Sequence, residues 1–279
     1  EMSHGKFSDA DIMKIKIHTF HAFANDYLTD AGLVSGEIVG NNFLRYSVLQ
    51  SFIDNKALTY GKSYIIQTIM PKVETAIRYI KNFGITPDKI DLNKTAKAIE
   101  VLHKPTPAYS KADMKAFLKY FVDAYKHYED SKTDVIDYSD MLLTFIEKFQ
   151  GEKYQHVLVD EMQDMNEIEA QIVEMVSENL FLVGDAKQAI FGFQGGSIKN
   201  FQKFEQSCKP MLLSTNRRST QQILGYSKKY FLNNTEHRAK FEKQLENFNS
   251  SATGSIPKIF STGAPLKKIL SLINENPDK

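Results

Sequence analysis

The sequence predicts an α/β fold with a helical subdomain inserted into it, and three observations carry that prediction. Val157, Leu158 and Val159 are consecutive β-formers that run straight into Asp160 and Glu161, the pattern of a buried parallel strand reaching the ligand-binding edge of its sheet. A second short apolar run, residues 180–183, ends in the same way at Gly184 and Asp185. From about residue 30 to residue 134 the periodicity changes to apolar stripes at helical spacing.

Taken in order, residues 15–23 begin as a short β-like segment and become a helix, in which Phe20, Phe23, Ala24 and Tyr27 share one face. After Pro71, the residues Val73, Ala76, Ile77 and Ile80 form a helical stripe that Gly84 can stop. Met114, Phe117, Leu118, Phe121, Val122 and Tyr125 form a second stripe over several turns. Lysines and tyrosines in this region suit a phosphate backbone, and equally a solvated surface or the edge of a core. Gly61, Lys62 and Ser63 copy the end of a phosphate-binding loop. Lys56 stands where that loop needs its first glycine, and residues 51–58 make a poor buried strand, so no such loop is predicted there. Leu142, Phe145, Ile146 and Phe149 mark the next helix, closed at Gly151, and Tyr154 opens the strand that leads to Asp160. Glu167, three residues after Asp164, reads as half of a capping box, with Ile168, Ile172, Met175 and Val176 as the buried face of the helix behind it. Further on, Ile223, Leu224 and Tyr230 continue as a helix to a polar break at residues 233–236. A strand over 256–260 and a helix over 266–273 are expected in the tail.

Composition sets outer bounds. With 279 residues, 42% of them hydrophobic, the chain can bury one large core or two modest ones. A formal net charge of +1 gives no global basic field, so any nucleic acid would have to be held in a local groove. The single cysteine, Cys208, excludes an intrachain disulfide and suits a reducing interior. No apolar run approaches the roughly 18 residues of a membrane span, and the first residues do not form a signal peptide. A cytoplasmic location is the expectation.

Two carboxylates at a strand end have a specific use in nucleotide hydrolysis. Asp160 can hold Mg²⁺, usually through water, while Glu161 can orient the attacking water. A solvated acidic turn would use the same letters. The stretch Asp160-Glu161-Met162-Gln163-Asp164 is followed by Gly184-Asp185-Ala186-Lys187-Gln188-Ala189-Ile190-Phe191-Gly192-Phe193-Gln194-Gly195-Gly196. In order and spacing the two blocks resemble the Asp-Glu-x-Gln-Asp and Gly-Asp-x-x-Gln-x-Ile-[Tyr/Phe]-x-[Phe/Trp]-Arg-Gly-Ala motifs of the UvrD/Rep-like superfamily 1 DNA helicases. Thr19-Phe20-His21-Ala22-Phe23 is similar to that family's Thr-Phe-His-Ser-[Phe/Leu] segment. Asp137-Tyr138-Ser139-Asp140-Met141-Leu142 is similar to its Asp-Phe-x-Asp-Leu segment, and residues 211–220 to its Leu-x-x-Asn-Tyr-Arg-Ser entrance. Gln194 departs from the usual Arg, Gly196 from Ala and Arg217 from Tyr. Loss of the guanidinium fork at position 194 implies a weaker grip or coupling there.

The resemblance implies a partial RecA-like P-loop NTPase motor domain with a helical insertion subdomain. Residues 1–29 and 135–213 would belong to the first motor domain, 30–134 to the insertion and 214–279 to the start of the second motor domain. It implies ATP and Mg²⁺ as cofactors, with Asp160 on the metal, Glu161 activating water, Gln188 sensing the terminal phosphate and Arg218 reaching the γ-phosphate. Gln163 and Asp185 fall within the nucleotide site, although a turn-stabilising amide is an even alternative for Gln163. Thr19, His21 and Phe193 are implied as nucleic-acid contacts, Phe193 by stacking on a base, while Phe191 reads as core. The partner would be single-stranded DNA, with duplex DNA a second candidate. No Gly-rich loop precedes Ile15 and the later helicase motifs do not follow residue 220. The expectation is therefore a central fragment of an ATP-dependent helicase or translocase, inactive as an ATPase when isolated. Two other readings stay open: a non-catalytic DNA-binding or protein-interaction module derived from a helicase, and a Mg²⁺-dependent nuclease using Asp160, Asp164 and Asp185.

Overall fold

Thr19 starts the first helix. Its hydroxyl accepts a hydrogen bond from the Ala22 amide at 3.2 Å, satisfying one of the donors that a helix start leaves free, and α1 runs over Phe20–Asp30. The computed structural model describes residues 14–33, 36–54, 61–102, 111–188, 198–235, 238–246, 248–257 and 263–275. Residues 14–18 enter α1 without pairing as a strand, and Ile15 and Ile17 are exposed. The β-like start expected there is therefore corrected to an unpaired lead-in. Its alternation matched a strand, but no described neighbour offers it an edge.

The chain divides into two units, Glu1–Cys208 and Lys209–Lys279. In the first, β1 (Glu37–Ile38) and β2 (Val135–Ile136) pair in parallel, Glu37 opposite Val135 and Ile38 opposite Ile136. They pinch together the two ends of a helical segment nearly a hundred residues long. Inside it lie α2 (Asn41–Asp54), α3 (Met70–Lys81), α4 (Leu92–Leu102) and α5 (Lys111–Asp130). A helical turn at Lys62–Tyr64 and a π-helical stretch at Ile65–Ile69 run directly into α3, so Gly61 caps a helix rather than a phosphate loop. Gly84 follows α3 with φ +65°, a conformation glycine adopts without steric cost. Leu44, Val48, Val73, Ile77, Leu118, Phe121 and Tyr125 close a core confined to this segment.

The body of the first unit uses a different core. α6 (Tyr138–Lys148) packs on α1, and with α7 (Glu167–Val176) they bury Ala24, Leu28, Met141, Leu142, Phe145, Ile168 and Ile172. β3 (Tyr154–Val159) and β4 (Ser177–Leu182) lie parallel on either side of α7 in sequence, with Val157 opposite Leu180 and Val159 opposite Leu182. This is the strand–helix–strand crossover that parallel pairing requires. The capping box of α7 is formed by Asn166 and Glu169, each side chain bonded to the other's amide at 2.9 and 3.0 Å. The Asp164–Glu167 pairing expected from sequence is two residues early, because a 3₁₀ turn at Met162–Asp164 takes up residues before the helix begins. α8 (Ile198–Ser207) adds Phe204 to a third core with Val159, Met162, Met165 and Val173.

A buried ion network sits where the helical segment meets the body. Lys81 Nζ reaches Glu129, Asp137 and Asp140 at 2.9, 2.7 and 2.6 Å, and Lys132 Nζ contacts the same three carboxylates. Tyr128 donates its hydroxyl to Asp137 at 2.7 Å. Burial alone would lower Lys81 and raise Asp137, but the opposite charges win: Lys81 is held well above its ordinary value and Asp137 well below.

In the second unit Thr220 caps α9 (Gln221–Asn234), α10 (Arg238–Leu245) follows, and Leu232, Phe241 and Leu245 form a small core. α11 (Pro265–Glu275) completes the described chain. Ile256 and Pro257 are not part of a strand, and the rest of the expected strand at 256–260 lies outside the described residues. Among the described residues no helix is long and apolar enough to cross a membrane.

Candidate functional site

The parallel register of β3 and β4 brings their C-terminal ends to one edge, so the two motifs emerge side by side. Val183 donates its amide to Val159 at 2.8 Å and accepts from the Met162 amide at 2.9 Å, which continues the pairing past the strands. Asp160 and Glu161 then leave the sheet exposed to solvent. Glu161 has φ +51° and ψ +41°, and it is the only described residue other than glycine with positive φ. That left-handed conformation costs a side-chain-bearing residue about 1–3 kcal/mol. It turns the chain sharply, so that Met162 packs inward while the Glu161 carboxylate stays at the edge.

Gln163 joins the two motifs. The residue is 3% exposed, its amide nitrogen donates to Glu161 Oε2 at 2.6 Å, and its carbonyl accepts from the Asp185 amide at 3.0 Å. Asp185 in turn accepts from the Lys187 amide at 3.0 Å and from Gln188 Nε2 at 3.2 Å, and pairs with Lys187 Nζ at 2.6 Å. A continuous hydrogen-bonded path thus runs Glu161, Gln163, Asp185, Gln188. Gly184 makes the approach feasible: a Cβ there would stand 2.4 Å from Met162 Cγ and 2.7 Å from Gln163 Oε1.

The donor set fits a hard cation. Every candidate metal ligand is a carboxylate oxygen, as Mg²⁺ prefers, and neither Asp160 nor Glu161 has a cationic partner among the described residues. Asp185 differs, since Lys187 already balances it. Asp164 Oδ1 is buried without a hydrogen-bond partner, and desolvation together with the Glu161 charge pushes its carboxyl above the ordinary aspartate range. Glu129, Asp137 and Asp140 also bring carboxylate oxygens within 4.8 Å of one another. There the two lysine ammoniums occupy the space a cation would need.

The sequence-derived candidates therefore separate into groups. Asp160, Glu161, Gln163, Asp185 and Gln188 come together at the sheet edge. Thr19 and His21 lie on the first turn of α1, flanking Phe20, which packs against the core that holds Val159 and Met162. His21 meets Tyr138 edge-on and is lowered from its ordinary pKa by burial. Phe193, with Phe191 and Gln194, lies outside the described residues. Arg218 belongs to the second unit, exposed on a turn in which Asn216 Oδ1 accepts from the Arg218 and Ser219 amides at 3.0 and 2.7 Å. Sequence reasoning missed Gly184 as a packing requirement and Lys187 as the counter-charge of Asp185. The second was readable from their spacing of two residues in a tight turn; the first was not, because its neighbours come from the other motif.

Comparison with known proteins gives a consistent result. The family described as UvrD/REP helicase N-terminal domain matches residues 3–209. An ATP-dependent DNA helicase PcrA from Staphylococcus epidermidis is 32% identical over 133 residues, covering 42% of this chain and 18% of that protein. One from Leuconostoc citreum is 27% identical over 208 residues, 67% of this chain and 28% of that protein, and one from Staphylococcus aureus is 29% identical over 181 residues, 58% and 25%. The chain thus spans less than a third of the length of these relatives.

Proposed function

Because the chain belongs to the UvrD/REP helicase N-terminal domain family, we propose that it supplies the water-activating part of an ATP-dependent DNA helicase or translocase. The observation that carries this reading is the Gln163 bridge, which fixes Glu161 against Asp185 across two strand ends. The relatives' description as ATP-dependent DNA helicases supports the choice of nucleotide and nucleic acid. Residues 1–29 and 135–213 are assigned to the motor domain, 30–134 to its helical insertion and 214–279 to the start of a second motor domain. The separate core confined to residues 44–128 supports the insertion.

In the assigned roles, Asp160 holds Mg²⁺, which when bound screens the charge of the nucleotide phosphates. Glu161 accepts the proton of the attacking water, and its exposed carboxylate, without a cationic partner among the described residues, suits that task. Gln163 keeps the Glu161 carboxylate aimed, and Asp185 positions Gln188 to hydrogen-bond a terminal phosphate. Arg218 contributes a planar set of donors to the same phosphate in the intact protein. Thr19, His21 and Phe193 contact single-stranded DNA. These 279 residues contain no Gly-x-x-x-x-Gly-Lys-[Ser/Thr] loop, so turnover by them alone is expected to stay near background.

The test uses a longer protein in which this chain is joined to a phosphate-binding loop and a full second motor domain. Glu161→Gln there should lower DNA-stimulated ATP hydrolysis by about 100-fold or more with folding unchanged. Near-normal turnover would remove Glu161 from the role of base. Single-stranded DNA binding by the longer protein without any hydrolysis would favour the non-catalytic module.

A further inference from the structure

The packed face between α8 and the 3₁₀ turn at Met162–Asp164 holds two buried polar atoms that find no partner among the described residues. α8 lies against that turn, with Phe204 buried beside Met162 and Met165, which bracket Asp164 in sequence. Asn200 stands one helical turn before Phe204, on the same face of α8, and is 3% exposed. Its Nδ2 has no acceptor, and Asp164 Oδ1 has no donor. The other two such atoms, Glu74 Oε1 and Thr86 Oγ1, belong to the helical segment. One interface therefore carries a free donor on one element and a free acceptor on the other, where buried polar groups are ordinarily paired.

Both atoms are tied closely to the candidate site. The Asp164 amide donates to the Glu161 carbonyl at 2.9 Å, closing the turn that the left-handed Glu161 begins. A displacement of Asp164 thus reaches the Glu161 backbone through one hydrogen bond. Gln163, between them, holds the Glu161 carboxylate. On the other side, α8 is the first described element after the 3₁₀ turn Ala186–Gln188, so Gln188 and Asn200 belong to one continuous stretch of chain.

We propose that Asn200 is a positioning residue of the hydrolytic site, its amide donating to Asp164 Oδ1 when nucleotide closes the site and so fixing the turn that aims Glu161. This rests on the role of Glu161 as base and adds what holds it. An amide hydrogen bond to a carboxylate is charge-assisted, and forming it satisfies both buried atoms at once. Asn200 touches no reactant; it acts through Asp164 and the turn. A terminal phosphate bonded by Gln188 draws the stretch that leads into α8 toward the sheet edge, which brings the donor to the acceptor.

The experiment uses the longer protein, with a phosphate-binding loop and a full second motor domain, and compares kcat and KM for DNA-stimulated ATP hydrolysis with melting temperature. Asn200→Leu keeps the volume and removes the donor. It should lower kcat by about tenfold to a hundredfold, with KM for ATP within about threefold and the melting temperature unchanged or raised, because an unsatisfied buried donor is gone. Asn200→Asp should lose as much by setting carboxylate against carboxylate. The swap of Asn200→Asp with Asp164→Asn should recover most of that loss, since one donor again faces one acceptor. Normal turnover in Asn200→Leu would overturn the role. So would a fall in kcat matched by a fall in melting temperature, or a swap no better than Asn200→Asp. Glu161→Gln, run beside them, separates the two readings. Normal turnover there removes the base assignment, whereas an inactive Glu161→Gln with a normal Asn200→Leu removes only the positioning role.

Discussion

Two acidic clusters in this chain have opposite fates. At the neck of the helical segment, Glu129, Asp137 and Asp140 bring carboxylate oxygens within 4.8 Å of one another, yet Lys81 and Lys132 reach all three. At the sheet edge, Asp160 and Glu161 stay exposed with no cationic partner among the described residues, and the backbone of Glu161 is strained. The first cluster is chemically closed, because its charges are satisfied from within the protein. The second is open: Glu161 takes one bond from Gln163, and among the described residues no cationic side chain balances either carboxylate. Density of acidic groups is thus a poor guide to a site; what matters is whether the fold has already answered their charge.

The contrast can be broken most strongly at Lys81. Lys81→Met removes a buried ammonium and leaves three half-buried carboxylates with one lysine, and a loss of about 3–5 kcal/mol in urea unfolding of the chain is expected. Acid should erode the same contribution in the unaltered protein. Asp137 is held below its ordinary value, so its stabilisation is present above about pH 3.9 and is lost as pH falls from there toward the folded value. Lys81 is raised, so its stabilisation is present below about pH 10.4 and is lost as pH climbs beyond that. A Lys81→Met chain with unchanged stability and an unchanged acid limb would show that the network is not what joins the segment to the body.

At the open site the expected effects on stability are smaller. Gly184→Ala forces a Cβ against Met162 and Gln163 and should cost about 1–3 kcal/mol. Loss of the Gln163 bridge should accompany it, seen as a shifted Gln163 side-chain amide signal in NMR spectra. A neutral substitution would mean that the motifs are not packed as tightly as the geometry requires. Smallest of all, Glu161→Gly should raise stability by up to about 1 kcal/mol by releasing the left-handed strain, while removing the base. A destabilised Glu161→Gly would mean that the Gln163 bond to Glu161 outweighs the strain, and would blur the distinction between the two clusters.

Much of the fold was readable from local pattern. The stripe from Val73 to Ile80 marks α3, the stripe from Leu142 to Phe149 marks α6, and both apolar runs before the acidic motifs become paired strands. Helix and strand periodicity are written in residues three, four or two apart, so a linear reading reaches them. The register of the α7 cap was misread by two residues because a 3₁₀ turn intervenes, and the letters of a capping box do not say which of two nearby registers the chain takes.

By itself the sequence determined the family, the strand ends that carry Asp160 and Asp185, and the helical nature of the segment between β1 and β2, since each depends on neighbours within a few residues. Tertiary structure decided what those residues do to one another. Gln163 bridges Glu161 to a residue 22 positions further on, and Lys81 closes a charge cluster with partners 48 to 59 positions away. Gly184 is required by side chains from the opposite motif. These relations depend on strand register and on which helices share a core. Register and core membership are fixed by the sum of long-range packing, which no single stretch of the chain encodes.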